Sequence, residues 1–175
     1  EGPSTDDCDL IAISSPLSVL KKTHQILTKQ SKKLDSELLK KLEKIGFVLD
    51  YGEENTGWQF KYLTRGGGYY FNVGASNLVA EQKIKLIQFS DIKEFLSDGI
   101  IHNSKKLEYD SFVFATGYKG QEYMVKKFFG NEVANKVGKI WNFDTKKQEL
   151  NNMFVKTNQQ GLWFIAGSLA QCRIF

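Results

Sequence analysis

The stretch Asp110-Ser111-Phe112-Val113-Phe114-Ala115-Thr116-Gly117-Tyr118 constrains the fold more than any other part of the chain. A nearly continuous apolar run that ends in small residues suits a strand buried on both faces of a parallel sheet. The pattern returns at Gly161-Leu162-Trp163-Phe164-Ile165-Ala166-Gly167. Two strand-to-glycine junctions of this form point to an α/β architecture. In open α/β sheets, ligands bind beyond the carboxyl ends of the strands. Glycine there removes the Cβ that would keep a cofactor away from the backbone, and a helix that follows offers free N–H groups. The competing interpretation is two ordinary strand ends with tight turns, and spacing alone favours it.

The remaining elements are expected from local signals. Residues 1–9 read as loop, and Leu10-Ile11-Ala12-Ile13 as strand or helix start. Ser15-Pro16 fits a helix opening, Ser as N-cap and Pro in the first turn. Leu17, Leu20, His24 and Leu27 follow at helical spacing. Asp35 can cap a second helix, with a staple between Leu34 and Leu39 and with Gly46 as its stop, so residues 16–45 read as a helical pair. Residues 51–68 have the texture of a structured loop, most flexible at Arg65-Gly66-Gly67-Gly68. A short helix is expected over 76–81. Short strands are expected at 83–89, 92–96, 100–102 and 105–108, turning at Asp98-Gly99 and Asn103-Ser104, which makes a small β-meander. Residues 121–137 read as a helix and 141–155 as loop and strand.

Composition excludes several classes. The 175 residues suffice for a domain with its own core. The formal net charge of +4 is small and dispersed, so it gives no grounds for a nucleic-acid partner and little for a membrane one. No apolar run approaches the ~20 residues needed to cross a bilayer. Cys8 and Cys172 stand too far apart in sequence for a metal motif or a disulfide framework. A reduced, cytoplasmic protein is the expectation. The polar start without Met, and an end that reads as the opening of a helix, suggest a piece of a longer chain.

Phe114-Ala115-Thr116-Gly117-Tyr118 is identical to a sequence characteristic of flavin-containing monooxygenases, and it follows an acidic residue and an apolar strand as it does there. Gly161-Leu162-Trp163-Phe164-Ile165-Ala166-Gly167 resembles that family's last FAD-domain strand, and residues 168–171 the start of the helix under the flavin. Asn72-Val73-Gly74-Ala75, followed by Lys83-Ile84-Lys85-Leu86, resembles a segment of related flavoprotein monooxygenases, including the plant indole-pyruvate type. The resemblance runs through essentially the whole chain. It implies an α/β fragment of a two-dinucleotide-domain flavoprotein. Residues 1–110 would be the later part of the NADPH-binding domain, carrying a helical insertion at 16–45. Residues 111–175 would be the return to the FAD-binding domain. The implied chemistry is oxygen transfer from O₂ to a small organic substrate through a C4a-hydroperoxyflavin, with FAD and NADPH as cofactors. The implied cofactor contacts are Ala115, Thr116, Gly117, Tyr118, Gly167, Ser168 and Gln171.

The chain departs from the family in one respect. No Gly-x-Gly-x-x-Gly occurs, since Gly66-Gly67-Gly68 runs into Tyr-Tyr-Phe and follows no expected strand. The pyrophosphate-binding fingerprints would then lie in an N-terminal FAD/NADPH-binding half, which becomes the expected partner, and the isolated chain is expected to be inactive and to bind neither cofactor tightly. A different class of reading is a stand-alone interaction module whose basic helices meet an anionic surface. A two-dinucleotide disulfide reductase lacks its redox Cys pair here. No residue is marked as catalytic. Arg65 could hold a phosphate, though a solvated loop is the plainer reading. Lys119 and Gln121 could face NADPH or simply open a helix. His24 reads as packed, His102 as strand surface, and Asp6-Asp7-Cys8-Asp9 as a charged loop rather than a metal site. Trp58, Tyr62, Tyr69, Tyr70 and Phe71 form an aromatic cluster, core by default and a substrate wall as the alternative.

Overall fold

The computed structural model describes residues 2–67, 69–165, 167 and 169–174. Among them the chain is mixed α/β, with seven α-helices and two small antiparallel sheets. It divides into two units, each discontinuous in sequence. One is built from residues 1–35, 50–71 and 119–175, the other from 36–49 and 72–118.

The first unit begins with α1, Thr5–Ile13. Ser4 Oγ accepts from the Asp7 amide at 3.1 Å, and Asp6 and Asp7 complement the positive helix end. Residues 5–9 are therefore helix rather than loop, and of the two readings of 10–13 the helical one holds, as the end of α1 rather than a start. Helix α2, Leu17–Leu34, starts one residue later than Ser15-Pro16 suggests, with Pro16 itself in the cap position. Its inward face is not the leucine row. Lys21, His24 and Thr28, at helical spacing, turn toward Glu54, Phe60 and Gly57. Helix α4, Gly57–Arg65, occupies the stretch expected as loop. Phe60, Lys61 and Thr64 lie buried on one of its faces, and Thr64 Oγ1 donates back to the Phe60 carbonyl at 2.8 Å. The periodic signal was hidden because the buried face mixes an aromatic, a lysine and a threonine. Helix α6, Gln121–Val137, forms as expected but is interrupted at Gly130, which takes φ +83°. Its inward residues are Val125 and Val137. With Ile140 and Met153 they make the core, and Leu162 and Phe164 pack against it. β4, Trp141–Asp144, and β5, Glu149–Asn151, form a hairpin. Helix α7 spans Leu169–Ile174. It contacts α1, where Asp9 receives a two-pronged ion pair from Arg173, at 2.9 Å from Nε and 2.5 Å from Nη2.

The second unit opens with α3, Ser36–Lys44. Asp35 closes α2 rather than capping α3, and Leu34 stands 84 % exposed, so the expected staple is not made. The stop at Gly46 is as expected. Its φ is +85°, its amide donates to the Glu43 carbonyl at 2.9 Å, and the Phe47 amide reaches back to the Leu42 carbonyl at 3.0 Å. Helix α5, Ala75–Ala80, packs on α3. The meander follows as β1, Ile92–Leu96, β2, Gly99–His102, and β3, Lys105–Glu108. Asn103 and Ser104 both take positive φ, which matches the twist of a two-residue hairpin. The first turn falls one residue earlier than expected, at Ser97 and Asp98. Gly99 instead opens β2, where any Cβ would overlap the Leu107 carbonyl of β3. Residues 83–89 form no strand.

Residues 111–118 are exposed and belong to no helix or sheet. Among the described residues, none of their backbone groups is hydrogen-bonded. The expected parallel strand is not formed; both sheets among the described residues are antiparallel, and the segment pairs with neither. Residues 162–165 likewise join no sheet, although the Phe154 amide donates to the Phe164 carbonyl at 2.9 Å.

Candidate functional site

The residues implied as cofactor contacts fall in both units. In the second unit, Phe95 anchors the end of the 111–118 segment. Its ring meets Phe112 at 5.5 Å and Phe114 at 5.3 Å, both edge-on. Ala115 and Thr116 line the groove that results, a cavity of about 430 Å³. Its walls are the side chains of Phe89, Ile92, Phe95 and Ile100, and no lysine or arginine is among them. Gly117 takes φ +79°, and an added Cβ there would meet nothing. The glycine serves the backbone angle and leaves that side of the peptide open. Tyr118 is fully exposed. This end of the segment fits an apolar ring or a neighbouring backbone. No cationic side chain lines it.

In the first unit, Gly167 takes φ +102°, and the Gln171 side chain lies where a Cβ would stand. That close approach lies at the opening of α7. Ser168 lies outside the described residues.

The other singled-out residues have structural employment. Arg65 closes α4, and Gly66 follows at φ +65° with the Trp141 ring 2.9 Å from where its Cβ would be. Trp141 Nε1 donates to the Leu63 carbonyl at 2.9 Å. Arg65-Gly66 is therefore a helix stop under a tryptophan and not a phosphate loop. Lys119 lies over the Tyr123 ring at 4.2 Å. Asp6 and Asp7 belong to the first turn of α1. Among the described residues no group of three His, Cys, Asp or Glu side chains is placed to hold a metal ion. Nor is any helix among them long and apolar enough to cross a membrane. The aromatic residues are in contact, Tyr69 touching Trp58 at 4.7 Å, Tyr62 at 5.9 Å and Phe71 at 5.8 Å, but Trp58, Tyr69, Tyr70 and Phe71 are exposed, so they are not the core expected by default.

Two ionisable groups in the first unit are tuned by their surroundings. Lys61 reaches the Asp50 carboxylate, and the Gly52 amide donates to the same carboxylate at 2.7 Å. Together, the lysine first, they hold Asp50 below the usual carboxylate range. His24 packs edge-on against Phe60, and its Nδ1 is buried without a hydrogen-bond partner. Burial pushes its pKa down. No local signal announces the Lys61–Asp50 pair, because an ion pair between a loop and a helix depends on the fold.

The larger cavity belongs to the second unit and holds about 700 Å³. Lys41 and Lys44 come from the last turn of α3, Lys85 from the segment after α5, and His102 from β2. Of these only His102 was singled out in the sequence, as strand surface, and it does lie on β2. The spacing of Lys41 and Lys44 was visible, but their convergence with Lys85 and His102 depends on the fold.

No family model matches the chain, and no curated protein matches it in sequence.

Proposed function

We propose that this chain is the C-terminal portion of an FAD- and NADPH-dependent monooxygenase that oxygenates a small organic substrate. The observation that carries the proposal is the segment 111–118. It holds the Phe-Ala-Thr-Gly-Tyr sequence, it is apolar, and none of its backbone groups is paired among the described residues. A segment of that composition is suited to the interior of a parallel sheet, where strands on either side satisfy its amides and carbonyls. In this reading the covering strands, together with the glycine fingerprints for both pyrophosphates, come from an N-terminal FAD/NADPH-binding half.

Within that assembly the oxygen-transfer chemistry is the flavin's, reduced by NADPH. The part left to this chain is positional. Gly117, left-handed and open on one side, lets another backbone or a ring approach closely. Phe95 of β1 holds the segment through its Phe112 and Phe114 rings. The apolar groove beside Ala115 and Thr116 keeps water from that edge.

The test is to express the whole reading frame and measure bound flavin and NADPH oxidation. A yellow protein that oxidises NADPH is the expected result, and a colourless one indifferent to NADPH sinks the proposal. The chain alone should show no FAD binding in a micromolar titration.

A further inference from the structure

The 700 Å³ cleft of the second unit contains none of the implied cofactor contacts, although Ile87 and Tyr109 line both it and the apolar groove beside residues 111–118. Its volume falls in the range of small-molecule sites. The floor is apolar, from Ile45, Leu86, Leu107 and Tyr109. The rim is cationic, from Lys41, Lys44 and Lys85, with His102 beside them, and no carboxylate lines the cleft.

Nearby acids do not neutralise this rim. Glu81 is engaged by Lys83 at 2.7 Å and only more weakly feels Lys41. Asp91 stands 3.8 Å from His102. No ion pair joins Lys41, Lys44 or Lys85 to a described residue. Lysines in the last turn of a helix often complement its negative end, and that accounts for Lys41 and Lys44 on α3. It does not account for Lys85, which comes from an extended segment and converges on the same opening. The walls are held by contacts outside the lysines. Gln88 Nε2 donates to the Gly46 carbonyl at 2.7 Å, and the Lys83 and Ile84 amides donate to the Leu78 carbonyl.

We propose that this cleft binds a small amphipathic anion, an apolar ring or short chain carrying one carboxylate or phosphate ester. The apolar body lies on Leu86, Leu107 and Tyr109, and the anionic group meets Lys44 and Lys85. An apolar floor under a convergent set of like charges recognises that combination and neither half alone.

The probe is 1-naphthyl phosphate, titrated into the full chain by its own fluorescence and by calorimetry. Saturable binding tighter than about 1 mM is expected, a range of affinity within reach of a half-open site. Inorganic phosphate and neutral 1-naphthol should each bind at least tenfold more weakly. Both K44E and K85E should weaken the probe about tenfold or more, while K136E on α6 should leave it unchanged. Lys44 and Lys85 are exposed, so these variants should fold, and unchanged circular dichroism will verify it. Leu107→Gln serves as a second variant that alters the floor and not the charge. No saturable binding, equal binding of 1-naphthol, or indifference to both charge reversals would overturn the proposal. Binding confined to anionic phosphatidylserine vesicles, with none to the soluble probe, would also overturn it, in favour of a membrane contact.

Discussion

Replacing Phe60 by alanine tests the packing of the first unit most directly. The ring is 2 % exposed and meets His24 edge-on at 5.9 Å and Phe143 edge-on at 5.3 Å. Truncation removes the transfer free energy of the ring and leaves a cavity that fixed helices cannot collapse around. Such changes cost about 3–5 kcal/mol. Leucine keeps most of the volume and loses the edge contacts, each worth ~1 kcal/mol, so it should cost about 2 kcal/mol. With a urea slope near ~2 kcal/mol per molar, the alanine variant should lower the unfolding midpoint by about 2 M. Tryptophan fluorescence is the assay, because Trp58 and Trp141 both stand in this unit. The same variant opens His24 to water, so its pKa, now held down by burial, should climb back toward the ordinary value near ~6.5 in an NMR titration. The sign of the linkage follows. The unfolded chain takes up the His24 proton more readily, so stability is full above the ordinary value and is lost as pH falls through the lowered folded one. That acid-side loss should shrink in the variant. A midpoint shift under about 0.5 M, or a His24 pKa that does not move, would show that Phe60 is not the covering group described here.

Other expectations are sharper about single contacts. Asp50→Asn should cost about 1 kcal/mol at neutral pH, a modest figure because Asp50 itself is well exposed while Lys61 is only 8 % so. Since Asp50 titrates below its usual range in the fold, the stabilisation should be complete above about pH 4 and fade as pH falls through the lowered value. Urea titrations of both proteins across acid pH will check it. Gly46→Ala, with open space but φ +85°, should cost about 1–2 kcal/mol from the backbone alone. Gly99→Ala should cost more, about 3 kcal/mol, because its Cβ overlaps a strand carbonyl that cannot swing aside. Amide exchange should be fast across residues 111–118 of this chain and slow in β2, and the full-length protein should protect that segment if the flavoprotein proposal holds.

What could be read in the sequence was what local chemistry decides. The Gly46 stop, the Asn103-Ser104 hairpin and the helix over 121–137 needed only backbone angles and short-range spacing. The helix over 57–65 was obscured because its start is a glycine and its buried face carries a lysine. The two apolar strands were misplaced for a different reason. Their composition asks for sheet neighbours on both sides, and among the described residues none is supplied. Of the candidate contacts, Gly117 and Gly167 were legible as special backbone positions, and both take positive φ. The cationic cleft was not legible at all. Lys41 lies 44 residues before Lys85 and His102 lies 17 after it, and only the packing of α3 on α5 beside the meander brings them to one opening.

The interleaving of the two units has a consequence for synthesis. The second unit has all its segments once the chain has been made through residue 118, whereas the first still lacks the stretch from 119 onward that carries its core. On a ribosome the meander and its helices can therefore settle first, while α1 waits for α7 and the paired α2 and α4 wait for β4. Those early helices are the part of the nascent chain most in need of a chaperone.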